Sequence, residues 1–321
     1  MGNQTNANEF YLSGLSDLSA LQLPLFLFFL LIYFLTLMWN LLIISLIVAD
    51  SHLHVPMYFF LGNLASMDLC YSSVTVPRML FDLLTKTRKI PKKACVTQVF
   101  FFIFYANAEI FLLAVMSYDR YIAICQPLHY TQIMNFKLCV QLASIAWFLG
   151  CVHSLVHTLY VLNLTFCGSD IIENFFCDLP QLLQISCSDV SINVLLIFLL
   201  GGLLTACAIM LTFLPYVYIF KTVLKIQVKG KRSKVFSTCS SHLAVVFIFY
   251  FSSMFNYFKP STNHNFAADK ALSVFYTIIV PLFNPLIYSL RNQDIRKAFC
   301  DVVRSIIFIA IQNLSKLNPR S

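Results

Sequence analysis

Charge is what this sequence has least of. Only 11% of its 321 residues are Asp, Glu, Lys or Arg, against roughly a quarter in a soluble globular domain. So little polar surface excludes a chain that stays dissolved in the cytosol. Lys and Arg are absent from residues 1–23, which removes the charged n-region of a cleavable signal peptide. The first apolar run is therefore expected to act as an uncleaved signal anchor. Met1-Gly2 opens as a myristoylation site does, but Asn6 stands where Ser or Thr is required. What is abundant is apolar: 59% hydrophobic residues, 32 Phe and 15 Tyr, with a mean hydropathy of +0.77.

A membrane-crossing helix needs about 20 predominantly apolar residues to match a hydrocarbon core of roughly 30 Å. Seven runs qualify: 24–49, 57–84, 94–125, 138–161, 191–220, 235–258 and 271–290. The expected fold is an all-α membrane protein, a seven-transmembrane helix bundle over residues 24–290. Residues 1–23 form an extracellular tail, and 291–321 a cytoplasmic helix and tail. Ile306–Ile311 is too short to span. It is expected to lie at the inner leaflet as part of a short amphipathic helix, with Arg296, Lys297 and Arg304 near lipid headgroups.

Two other classes lack their signatures. A transporter would show internal repeats or paired segments broken by Gly and Pro, and neither is present. An enzyme would need converging catalytic groups. His153 and His157 have metal-ligand spacing, but no acid lies nearby in sequence, so a packing or ligand-contact role is expected. No enzyme activity, cofactor or nucleic-acid partner is expected.

Basic residues orient the bundle. With the N-terminus outside, fourteen of the 22 Lys and Arg residues fall on inner segments, as the positive-inside rule prefers. The cluster Lys86–Lys93 falls outside and argues mildly against it. Sequons at Asn3 and Asn163 both fall on the outer face, so both are candidate glycosylation sites. Cys95, Cys167, Cys177 and Cys187 also lie there, on the oxidising side. Four cysteines allow three pairings. A bond from Cys95 to the long loop after span four would tie that loop over the mouth of the bundle.

Polar groups inside a bilayer are costly and usually face the bundle interior. Asp68 and Glu109 are the two deepest acids, with Asn40, Asn63, Asn284 and Ser289 at comparable depth. Such a group holds a sodium ion, shares a proton, or simply locks helix packing. At the inner end of span three, Asp119 beside Arg120 is expected to form a local ion pair that holds a resting state. Fourteen residues before Arg120, about 21 Å along the same face, lies Ala106, flanked by Phe102, Ile103, Asn107 and Ile110. This stripe is apolar with one amide, which suits a small organic ligand.

The string Met116–Cys125 followed by Pro127-Leu128-His129-Tyr130 resembles the inner end of helix three in vertebrate odorant receptors, a branch of rhodopsin-like G-protein-coupled receptors. Leu53–Leu61, Lys234–Leu243 and Pro281–Asn292 are similar to that family's motifs at helices two, six and seven, in the same order. The resemblance covers residues 9–300. It implies pairing of Cys95 with Cys177 and of Cys167 with Cys187. It adds Tyr250, Ser253, Met254 and Tyr257 on span six, and Val274 and Thr277 on span seven, to the ligand site. Gly201 and Gly202 would leave room beside them. Asp119, Arg120, Tyr121, Tyr216, Asn284, Pro285 and Tyr288 would serve activation and coupling.

The chain departs from the family pattern at Phe251, expected to add bulk near the pocket floor, and at Pro215, expected to kink the inner end of span five. The implied function is reception of small, mostly apolar volatile molecules. The implied partner is a heterotrimeric G protein of the stimulatory olfactory type, in the plasma membrane of olfactory sensory neuron cilia. The alternative is a rhodopsin-like receptor for a non-odorant small molecule.

Overall fold

The computed structural model describes residues 9–16, 18–167, 170–225, 229–257, 266–291, 294–302 and 304. Seven long helices carry the architecture. Helix one is Ser19–Ala49, helix two Pro56–Thr85, helix three Lys92–Cys125 and helix four Phe136–Leu162. Helix five runs Ser191–Lys225 and helix six Lys229–Tyr257. Helix seven is continuous through Phe266–Val274, Phe275–Ile279 and Val280–Arg291.

Helices one, three, four, five and seven are long and apolar enough to cross a membrane. Helix two has the length, but its interior carries Asp68, Arg78 and Asp82. Helix six opens in a basic stretch, and its apolar part within the described residues is His242–Phe251. The helices overrun the apolar runs because an α-helix satisfies its own backbone hydrogen bonds. It therefore continues into water wherever polar side chains are tolerated.

Side chains cross-link neighbouring helices. The Trp147 indole donates to Asn63 Oδ1 at 3.2 Å, joining helices four and two. Asn63 thus faces helix four and not the acids. Gly150 sits where helices three and four meet: a Cβ there would lie 2.8 Å from both Ala108 N and Phe104 O. Small residues at such crossings let two backbones approach.

After helix seven, residues 294–302 are helical, with Ile295 and Ala298 buried against the core and Asp294, Arg296 and Lys297 exposed. Tyr58 of helix two donates to Asp294 at 2.9 Å and anchors this amphipathic turn. Residues 306–311 lie outside the described residues.

One end of the bundle is capped. Strand β1, Glu9–Leu12, pairs antiparallel with β2, Lys89–Pro91, and parallel with β3, Ile171–Ile172. Part of the N-terminal tail is therefore the central strand of a small sheet, with Phe10 and Leu12 buried. Arg88 donates to the carbonyls of Ser13 and Ser16 at 2.6 and 2.7 Å. Gly14 takes φ +71° in that turn, and a Cβ there would crowd the Arg88 guanidinium. Arg78 bridges to Asp82 and donates to the Thr87 and Lys89 carbonyls. Several basic residues at this end thus have structural tasks, which explains their placement against the general charge bias.

Two disulfides complete the cap: Cys95–Cys177 and Cys167–Cys187, with Cα atoms 5.5 and 6.0 Å apart. Gln98 of helix three donates to Val74 O and accepts from Cys177 N, each at 2.9 Å, so the loop is pinned beside its disulfide.

Candidate ligand cavity and coupling end

Below the cap a cavity of about 70 Å³ opens between helices three, four, five and six. Ile103, Ala106, Asn107 and Ile110 line it from helix three, Gly201 from helix five and Met254 from helix six. These six were expected from the sequence. His153 and His157 of helix four also line it, in the ligand-contact position their sequence allowed.

Leu179, Ile197 and Thr205 join the lining without a prior expectation. Ile197 and Thr205 lie four residues either side of Gly201, so helical spacing around Gly201 was a usable signal. The π-helical turn Ile197–Gly201 sits against the cavity, and such turns are frequent at functional sites. Leu179 carried no local signal. It reaches the cavity because Cys177, two residues earlier, is bonded to the start of helix three.

Other expected ligand residues lie elsewhere. Phe102 is buried under the cap among Tyr71, Phe176 and Tyr276, with ring centroids 5.1–5.9 Å away. It belongs to an aromatic core because helical rotation points it toward helices two and seven, away from helix five. The Tyr250 hydroxyl pairs with Thr212 Oγ1 at 3.0 Å and reaches Ile110 O at 3.4 Å, which locks it among helices three, five and six. Thr277 is fully buried and donates to Ser273 O at 2.7 Å. Val274 packs in the core beneath the cap. The side chains of Ser253 and Tyr257 lie outside the described residues.

Phe251 is 58% exposed and stacks on Phe247 at 5.8 Å, so it faces outward and not onto a pocket floor. Pro215 sits inside a helix that continues unbroken to Lys225.

Deeper in the bundle, Asn284 donates to Asp68 Oδ1 at 3.0 Å and to Glu109 Oε1 at 2.8 Å. One amide nitrogen thus bridges both buried acids. Asn40 donates to Thr36 O and Pro281 O, tying helix one to helix seven beside them. Pro285 follows Asn284 in the interior of helix seven. Among the described residues no three of His, Cys, Asp and Glu converge on one point. The amide placed between the acids favours a hydrogen-bonded lock over a cation seat.

At the opposite end from the cap, Asp119 is buried and accepts a hydrogen bond from Tyr130 Oη at 2.9 Å. Among the described residues no close ion pair joins it to Arg120, whose charge acts on it from a longer distance, and its direct tie is a latch to the segment after helix three. Tyr130 arrives there because the short helical turns Pro127–His129 and Tyr130–Ile133 fold back against helix three. Burial, then the Asp119 carboxylate, pushes the Tyr130 phenol above its ordinary pKa, so it stays a donor.

Arg120 Nε is buried without a hydrogen-bond partner. Tyr216 Oη lies 2.6 Å from His242 Nδ1, joining helices five and six. Tyr121 packs against the same inner cluster. Asn163 is exposed at the C-terminal cap of helix four, on the disulfide-bearing end. Asn3, and the side chains of Tyr288 and Ser289, lie outside the described residues.

The chain as a whole has counterparts among known proteins. A family model described as olfactory receptor matches residues 29–306. Olfactory receptor 1C1 of Homo sapiens is 48% identical over 92% of this chain and 94% of its own length. Olfactory receptor 5B12 of Homo sapiens is 46% identical over 93% and 95%. Olfactory receptor 5AR1 of Mus musculus is 45% identical over 92% and 96%. Squid rhodopsin shares the fold, with a TM-score of 0.65 at 18% identity over 91% of this chain and 88% of that one. The chain belongs to the olfactory receptor family.

Proposed function

We propose that this receptor binds small, mostly apolar volatile molecules in the cavity between helices three to six and transmits their arrival to a heterotrimeric G protein. The observation that carries the reading is the cavity itself: mostly apolar walls with a few polar groups, beneath a disulfide-pinned cap. An engineered apolar cavity of about 150 Å³ takes up benzene. At about 70 Å³, this one needs small movements of flexible side chains such as Met254 before it admits a comparable ligand.

A ligand shifts the conformational balance only through its differential affinity for two states. Here it would favour an arrangement in which the inner end of helix six moves and the Tyr216–His242 bond breaks. Arg120 and the basic segment beginning helix six would then meet the G protein, of the stimulatory olfactory type. Asn284 and Pro285 would relay the change along helix seven from the Asp68–Glu109 lock. The receptor would sit in the plasma membrane of sensory cilia with its capped end outside and glycans at Asn3 and Asn163.

A cyclic AMP reporter screened against a diverse volatile panel tests this. Agonists are expected for the unmodified receptor. Arg120→Ala should remove the response while cell-surface labelling persists, and Gly201→Leu should remove it by filling the cavity. A fully active Arg120→Ala receptor would overturn the account.

A further inference from the structure

Two buried histidines stand in the cavity wall. His153 and His157 are 6% and 3% exposed, and both line the cavity. Their rings lie 4.6 Å apart, one helical turn along helix four. Neither makes a hydrogen bond to a described residue, and His153 Nδ1 is buried and unsatisfied. Buried polar groups are almost always hydrogen-bonded, so two such rings in one wall call for a partner that arrives with a ligand.

The neighbours narrow its chemistry. Asn107 faces the same space from helix three and Thr205 from helix five. The Asn107 amide nitrogen is engaged by Ile103 O at 2.9 Å. Its oxygen, also part of the lining residue, is then the acceptor on offer. The rest of the lining is mostly apolar: Ile103, Ile110, Leu179, Ile197 and Met254.

Three head groups fit this wall badly. A carboxylate would need a cation, and among the described residues no Lys or Arg lines the cavity. A structural metal site takes four ligands, and among the described residues no third His, Cys, Asp or Glu joins the pair. A carbonyl or ether accepts hydrogen bonds but donates none, so it answers only half of what two imidazoles present. A neutral imidazole offers one donor and one acceptor. A hydroxyl, which donates one hydrogen bond and accepts two, complements it.

Resting on the ligand site proposed above, we infer that this receptor's preferred agonists are aliphatic alcohols, with the hydroxyl hydrogen-bonded to the wall formed by His153 and His157 and the alkyl chain against Ile110, Leu179 and Met254. The two histidines are the specificity-determining residues.

The test uses the full-length receptor in reporter cells. Alcohols from butanol to octanol are each paired with the corresponding alkyl methyl ether, aldehyde and carboxylic acid. On the unmodified receptor the best alcohol should be at least about tenfold more potent than its ether. His153→Leu and His157→Leu should each reduce that preference to within about threefold while surface labelling is kept, and His157→Gln, which retains a donor and an acceptor, should restore part of it. The ether comparison needs no variant, so a folding defect in either leucine receptor does not blur the outcome. Equal potency of alcohol and ether overturns the inference, and so does an unchanged preference in both leucine variants. If other volatiles activate the receptor without an alcohol preference, the odorant-receptor reading stands and only this assignment falls. If no volatile activates it, both fall.

Discussion

Gly150 and Tyr130 show how single side chains set the packing and the resting state. At Gly150 the missing Cβ is the contact: any larger residue would meet helix three backbone at 2.8 Å. Flexible side chains can yield at such distances, but backbone cannot, so overpacking of about 1–3 kcal/mol is expected. Gly150→Leu should lower the thermal midpoint of the detergent-purified receptor and its surface level, with Gly150→Ala intermediate. Tyr130 instead donates to one oxygen of a buried carboxylate at the inner end of helix three. Leaving such a group unsatisfied costs about 1–3 kcal/mol. Tyr130→Phe should therefore destabilise the resting receptor and raise ligand-free cyclic AMP output. Basal output equal to that of the unmodified receptor, at matched surface level, would argue that the latch has no role in the resting state.

At the scale of elements, the cap is held by covalent and polar ties. The Cys95–Cys177 bond spans 82 residues and Cys167–Cys187 spans 20. Chain-entropy reasoning gives about 3 kcal/mol for a short loop and above 4 kcal/mol for a long one. The longer bridge also positions Leu179 in the cavity. Cys95→Ser with Cys177→Ser should thus lose agonist potency as well as stability. Cys167→Ser with Cys187→Ser should chiefly lose stability. Dose–response curves at matched surface expression separate the two effects, and equal potency losses would show that Leu179 is not placed by the longer bridge. Helix five carries its contribution through spacing: Ile197, Gly201 and Thr205 share one face beside a π-helical turn.

For the molecule as a whole, the cavity and the coupling end are linked by the same helices, with buried side chains filling the space between. A ligand that binds the folded receptor and not the unfolded chain stabilises it by RT ln(1 + [L]/Kd). An agonist from the volatile panel at 100 times its Kd should therefore add about 2.7 kcal/mol. This appears as an upward, concentration-dependent shift of the purified receptor's thermal midpoint. Gly201→Leu should erase that shift while leaving the ligand-free midpoint little changed.

The sequence by itself determined the seven-helix architecture, because the length and apolarity of a span are local properties that no tertiary context is needed to read. It also determined the family, through four ordered motifs, and much of the helix-three face of the cavity, through regular helical spacing. What it left to the tertiary structure follows from rotation and from contacts between distant segments. Phe102 and Phe251 read as pocket residues, yet one turns into an aromatic core and the other outward, since helix rotation is fixed only by packing against neighbours. Asp119 read as the partner of Arg120, but its hydrogen bond comes from Tyr130, brought to it by a turn after helix three. Residues 9–12 read only as part of the extracellular tail, because strand pairing with segments about 80 and 160 residues away leaves no local trace. The shortage of charge that first marked this chain placed its helices in a membrane. The few polar groups inside it, above all His153 and His157, acquired a candidate role only when the fold set them around one cavity.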